Sequence, residues 1–139
     1  MKPYKTKIKQ LSGTDFKEIR KKSTGFYNEI KRQTKKKPYV RSKYFKKEKI
    51  FLELFWGHLF EKNYWDQTRR MKLFPCAIEL IRNSDFAPVS KENVDKPSEI
   101  LHRFAGITAT NDLFFVQIKE NKHTHKKWLI SAFPVDHHK

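Results

Sequence analysis

An α+β fold, with N-terminal helices packed on a small antiparallel β-sheet formed by the C-terminal half, is predicted by three observations. Up to about residue 83, apolar residues recur at three- and four-residue steps, the spacing of one helix face. Beyond residue 99 the period falls to two over "ILHRFAG", "LFFVQIKE" and "KWLISAFPV", as strands with one buried face require. Aromatics are 14% of the 139 residues, twelve of them Phe, which a disordered chain rarely carries and which can fill one hydrophobic core.

The elements follow in order. Residues 1–10 read as a flexible arm. In "SGTDFKEIRKKSTGFYNEIKRQTKKKPYV", Thr14 is placed to cap a helix anchored by Phe16, Ile19, Phe26 and Ile30, which Gly25 and Lys35-Lys36-Lys37-Pro38 interrupt or end. "KYFKKEKIFLELFWGHLFEKN" reads as a second helix, with Ile50 or Phe51, Leu54 or Phe55, His58 and Leu59 at helical steps. It is apolar almost all round, so it is expected to lie between a sheet and another helix. "YWDQTRRMKLFPCAIELIRN" is a third helical segment, with Phe74, Ile78 and Ile81 on one side and Asn83 as C-terminal cap. Pro75 marks either a kink or the first turn of a new helix. The turn-rich "SDFAPVSKENVDKPSE" follows, in which Phe86–Val89 is a candidate fourth strand. Three strands then alternate with "ITATND" and "NKHTH", both read as hairpin connections. The chain divides into a basic arm and helix (1–43) and an α+β domain (44–139).

The last hairpin admits a register test. Pairing Lys119 with Lys127 sets Ile118 against Trp128, Val116 against Ile130 and Phe114 against Ala132, an unbroken apolar face. It places Gln117 beside Leu129 and Phe115 beside Ser131, so Gln117, Lys119, Lys127 and Ser131 share the other face with Phe115, Leu129 and Phe133. Antiparallel sheets often carry lysines on a solvated face. A face that mixes aromatics and cations can also stack bases while holding phosphates. Residue types alone leave both readings open.

Charge narrows the partner. Lys and Arg number 31 against 15 Asp and Glu, a formal +16, and residues 1–50 hold 18 of those cations with only 4 acids. Such concentration points to a polyanion, nucleic acid first, a solvated basic tail being the plain alternative. Lys35, Lys36, Lys37, Arg69 and Arg70 are candidate phosphate contacts.

Other classes are disfavoured. Cys76 is the single cysteine, so neither an intrachain disulfide nor a multi-cysteine zinc site can form, and in "LFPCAIELI" it reads as a small core hydrophobe. The N-terminal stretch lacks an apolar central region, and no apolar run approaches the roughly 20 residues that span a bilayer. A soluble cytoplasmic protein without membrane contact is expected. Four Gly and no phosphate-cradling loop argue against a nucleotide-hydrolysing enzyme. His123–His125 and His137–His138 lack an acidic pair, and His58 with Glu61 lacks a second ligand helix, so neither metal nor cofactor is expected.

His102 remains. It alternates with Ile100 and Phe104, while Arg103 points the other way. A lone histidine in an apolar strand is more often a satisfied structural residue than a catalyst. Yet imidazole, with an unperturbed pKa of about 6.5, can exchange a proton at neutral pH. With nearby cations and a hydroxyl it supplies the parts for metal-free RNA cleavage, in which the 2′-hydroxyl attacks the adjacent phosphorus and positive groups steady the phosphoryl oxygens.

At these residues, "SEILHRFAG…LFFVQIKE…KKWLISAFP" resembles the phage- and mobile-element-borne nuclease-like domains of the barnase–EndoU–colicin–RelE superfamily, most clearly over residues 74–134. The resemblance implies an α+β fold and a metal-independent bacterial ribonuclease, often a toxin, acting on tRNA, rRNA or translating mRNA. It implies His102 as general acid or base, Ser131 as a phosphate ligand, Lys119 or Lys127 as stabiliser of the pentacoordinate phosphate, and Arg82 and Arg103 as phosphate contacts. DNA is a second nucleic-acid option. The alternatives are a non-catalytic nucleic-acid-binding module and a module docking an acidic protein, such as a cognate antitoxin or immunity protein.

Overall fold

The computed structural model describes residues 1–135; His137 and His138 lie outside the described residues. The N-terminal arm contains a short strand, β1 (Tyr4–Lys5), and helix α1 (Phe16–Arg32) follows. Asp15, not Thr14, caps α1, its side chain accepting the Glu18 N–H at 3.1 Å. The helix runs through Gly25 and ends at Arg32, before the lysine triplet.

The second expected helix is overturned in its first half. Residues 39–51 form a hairpin of β2 (Tyr39–Ser42) and β3 (Glu48–Phe51), and only Glu53–Leu59 is helical, as α2. The hairpin turns through Lys46 and Lys47, both with positive φ (55° and 68°), so the bend carries none of the Gly or Asn that normally mark one. Ile50 and Leu52 are buried beside Phe55, which is why strand and helix together imitate a single helical stripe.

The third segment is two helices, α3 (Tyr64–Lys72) and α4 (Phe74–Asn83), broken at Leu73. Pro75 occupies the first turn of α4, where its missing N–H costs nothing. Ser84, rather than Asn83, is the C-terminal cap. The candidate fourth strand lies further along, as β4 (Val89–Glu92). The last three strands are β5 (Glu99–Ile107), β6 (Leu113–Asn121) and β7 (Lys127–Pro134).

All seven strands join one sheet in the order β1-β5-β6-β7-β3-β2, with β4 sharing the β1 edge of β5. The β1–β5 and β3–β7 pairs are parallel and the others antiparallel. One face is the core face. Phe104, Phe114, Val116, Ile118, Leu129 and Ala132 are buried there in one cluster with Phe74, Ile78, Leu80 and Ile81 of α4. At Gly106 a Cβ would stand 2.4 Å from the Phe114 ring and 2.9 Å from Leu80, so only glycine fits between strand and helix.

The arm is not free. Tyr4 and Lys5 pair with Gly106 and Ile107, the Tyr4 hydroxyl donates to Glu79 Oε2 at 2.8 Å, and the Lys7 and Ile8 N–H groups donate to the same carboxylate. Burial, helped by Glu79, pushes the Tyr4 phenol up to about 12. Residues 1–43 thus supply β1, β2 and α1 to the same sheet and core as the rest, and the β2–β3 hairpin spans the 43/44 boundary. No helix among the described residues is long and apolar enough to cross a membrane.

The β6–β7 register differs from the expected one. Glu120, not Lys119, pairs with Lys127, followed by Lys119 with Trp128 and Ile118 with Leu129. A bulge at Ile130 then shifts the ladder, so Gln117 pairs with Ser131 and Val116 with Ala132. The one-residue slip that would have broken the apolar face is absorbed by this extra residue. Leu129 and Ala132, three apart, both face the core because Ile130 resets the alternation.

Candidate nucleic-acid interface

The sheet's other face carries a mixed surface ordered by the register. A row of partners crosses six strands: Tyr39, Phe51, Trp128, Lys119, Leu101 and Lys91. A second row holds Ser131, Gln117, Arg103 and Val89, and a third Phe133, Phe115 and Ala105. Strand alternation creates the face, since Val40, Ile50, Ile118 and Leu129, each next in chain to a member of the first row, all point into the core.

Cations cover the rings. Lys49 Nζ lies 4.8 Å from the centre of the Tyr39 ring, and Lys126 Nζ 4.7 Å from Phe51 and 5.4 Å from Trp128. Lys119 lies 5.0 Å from Trp128 and is paired with Glu99 at 3.2 Å. The Arg103 guanidinium sits 5.2 Å from Phe115 and 5.4 Å from Phe133, and both Nε and Nη2 donate to Gln117 Oε1. From α3, Arg70 donates to the Ser131 hydroxyl at 2.6 Å, lies 5.3 Å from Phe133 and pairs with Asp66. Each cation is thereby held over a flat apolar surface, an arrangement worth about 0.5–1 kcal/mol at exposed sites.

The row runs into a cleft. Beside Tyr39 and Phe51, a cavity of about 710 Å³ is lined by Lys35, Lys36, Lys37, Lys49 and Lys126 with Gln33 and Thr34, and by no acid. The lysine run that follows α1 therefore meets the aromatic row rather than projecting as a tail.

The expected site residues separate into groups. Ser131, Lys119, Arg103, Gln117, Phe115 and Arg70 meet on the outer face, and Lys35, Lys36 and Lys37 at its cleft. Lys127 does not join them. The corrected register turns it to the core face, 4% exposed, against the expectation that it lies with Lys119. Leu129, expected outside, is likewise buried. Arg82 lies apart, in a cavity of about 800 Å³ with Arg41, Lys43, Lys46 and Lys47. Arg69 turns from Arg70 to Trp65, 4.2 Å from the ring centre.

His102 is on the core face and 8% exposed, with Ile100 and Phe104 on its side and Arg103 opposite, as the alternation predicts. Its Nδ1 lies 2.6 Å from the Ser90 hydroxyl of β4, and its Nε2 2.8 Å from Glu120 Oε1. Glu120 Oε2 in turn lies 2.9 Å from His125 Nδ1 in the β6–β7 loop. Lys127 Nζ donates to Glu48 at 2.9 Å and to the His125 carbonyl at 3.0 Å, with Glu120 at 3.9 Å. Burial alone would raise the Glu120 carboxyl, but hydrogen bonds from His125 and His102 and the charge of Lys127 outweigh it and hold the group below its ordinary value.

Glu120 and His125 escape a reading by residue type, yet a signal exists. Glu120 has the strand parity of Phe114, Val116 and Ile118, and a carboxylate at a core-facing position needs partners. Among the described residues no group of three or more His, Cys, Asp or Glu is arranged to hold a metal ion. Comparison with protein-family models, with curated proteins and with solved structures finds no match.

Proposed function

We propose that the chain binds single-stranded RNA across the outer face of its sheet and cleaves it without metal by attack of the 2′-hydroxyl on phosphorus. The observation that carries the binding is the cross-strand row of Tyr39, Phe51 and Trp128, overlaid by Lys49, Lys126 and Lys119 and ending in the acid-free lysine cleft. Rings on a sheet accept unstacked bases and the cations accept their phosphates, a combination a duplex with stacked bases cannot use. The +16 charge favours the same partner. The reaction class comes from the resemblance to metal-independent ribonucleases, and Ser131, Arg70, Arg103 and Lys119 are the outer-face groups that would contact the phosphate.

The competing reading is a binding module without chemistry. It is favoured by one observation, that His102 is buried on the face opposite Ser131 and Lys119. One experiment decides. The full chain is incubated in EDTA with single-stranded RNA, duplex RNA and total tRNA, and product ends are identified. Cleavage of single strands to 2′,3′-cyclic phosphate ends is expected; tight binding with intact RNA would make this a binding module, and equal affinity for duplex would overturn the stacking surface.

A further inference from the structure

We infer that His125, held by Glu120 at the tip of the β6–β7 hairpin, is the general base of the cleavage reaction, an assignment that rests on the proposed ribonuclease reading. Four observations converge on it. The first is orientation: Nδ1 is engaged by Glu120 Oε2 at 2.9 Å, so Nδ1–H donates and Nε2 carries the lone pair. That side chain is 68% exposed, unlike His102, whose ring nitrogens are both occupied within the core.

The second is support behind the carboxylate. Glu120 is 8% exposed and is held from the far side by His102, itself bonded to Ser90, so it cannot rotate away from His125. Glu120 and His102 are positioning residues in this scheme. They fix the imidazole's tautomer and steady the positive charge it gains.

Third, the loop is rigidly built. Asn121 Oδ1 accepts the His123 and Thr124 N–H groups, the His125 N–H donates to the Asn121 carbonyl at 2.8 Å, and Lys127 Nζ donates to the His125 carbonyl. His125 has φ of 63°, the left-handed turn conformation that His, like Asn and Asp, adopts more readily than most residues, and it fixes the direction in which the side chain leaves the loop. The fourth is location. The next residue in the chain, Lys126, lies over Phe51 and Trp128 and lines the lysine cleft, so His125 stands at the hairpin tip that borders this cleft.

The step balances without a co-reactant. His125 Nε2 takes the 2′-hydroxyl proton as the 2′-oxygen–phosphorus bond forms. The phosphorus–5′-oxygen bond breaks, the departing 5′-oxygen takes a proton from water, and His125 returns its proton to solvent. The products are a 2′,3′-cyclic phosphate and a 5′-hydroxyl.

The test uses two variants of the full chain. His125→Asn keeps a donor for Glu120 and tolerates the positive φ, yet has no base. His125→Gly leaves space for added imidazole and suits the same φ. Both should bind single-stranded RNA as wild type does and cleave it on the order of 10²–10⁴-fold more slowly, with imidazole restoring activity to His125→Gly. Undiminished cleavage by His125→Asn would overturn the assignment and leave the ribonuclease reading standing. So would a folded, RNA-binding His125→Gly that imidazole does not rescue. A wild-type chain that binds RNA and leaves it intact would overturn both the assignment and the cleavage reading.

Discussion

Replacing Trp128 with alanine separates stacking from charge on the outer face. Trp128 lies outside the core, half-exposed, with Lys119 and Lys126 each within about 5.5 Å of its ring. Its loss removes a stacking surface but no cation. One base stacked on an aromatic side chain is worth about 1–3 kcal/mol, so affinity for a single-stranded oligonucleotide should fall roughly 5- to 150-fold. The salt dependence should not change, because the number of phosphates neutralised is the same. Replacing Lys126 with alanine should do the reverse. Affinity then falls moderately at low salt, and the slope of log K against log[salt] shrinks by about 0.7, one single-strand phosphate contact. The assay is fluorescence anisotropy of a labelled single strand and its duplex at several salt concentrations, with thermal unfolding as the control for folding. Wild-type affinity in Trp128→Ala, or a loss shared equally by duplex, would refute the placement of bases on this row.

Three further outcomes concern the frame that presents these residues. Glu120, held below its ordinary carboxylate value of 4.5, stabilises the fold above that pH and progressively less as pH falls through its lower folded-state value, so acid unfolding should begin below about pH 4.5. In Glu120→Gln that part of the pH dependence should vanish, and stability at neutral pH should fall by about 1–3 kcal/mol because the hydrogen bonds to His102 and His125 lose their charged acceptor while Lys127 keeps Glu48; denaturant unfolding at pH 7 and pH 4 measures both. Glu79→Ala should free the N-terminal arm, raising amide exchange at Tyr4, Lys7 and Ile8 and costing about 1.5–3 kcal/mol, whereas unchanged exchange would show β1 to be held by the sheet alone. Gly106→Ala should cost about 1–3 kcal/mol, since its methyl would meet the Phe114 ring and Leu80, and a melting temperature equal to wild type would contradict that close approach.

The parts of the fold legible in sequence were those where one period held throughout an element. β5, β6 and β7 fall where the alternation of "ILHRFAG", "LFFVQIKE" and "KWLISAFPV" predicts, and Pro75 marks the start of α4. Residues 43–51 misled because Ile50 and Phe51 of a strand run directly into Phe55 and Leu59 of a helix, and the bend that precedes the strand is made by two lysines. The arm looked free because what holds it, the Glu79 carboxylate, lies more than 70 residues away. On the site, Gln117 and Lys119 were recoverable from alternation along β6; Ser131 is on the expected face, but paired with Gln117 rather than Phe115 and in the frame that begins after the bulge. Lys127 was not, because its facing depends on a register that one extra residue at Ile130 alters. Tyr39 and Phe51 were missed with the β2–β3 hairpin that carries them, and Lys126 with the register that brings β7 beside β3.

The bulge at Ile130 has a consequence for how this chain tolerates change. β7 is written in two frames, like a text with one inserted letter. Up to Leu129 the odd positions are interior; from Ala132 the even ones are. A saturation scan along β7 should therefore show its two-residue rhythm of tolerance to polar substitution skip a beat at 130. Removing Ile130 would straighten β7 and keep the present facings, because Ser131 would follow Leu129 in plain alternation, whereas a regular ladder that kept Ile130 would exchange the facing of Ser131, Ala132 and Phe133. The hydroxyl and ring would enter the core, alanine would surface, and Arg70 and Arg103 would lose the groups they now rest on.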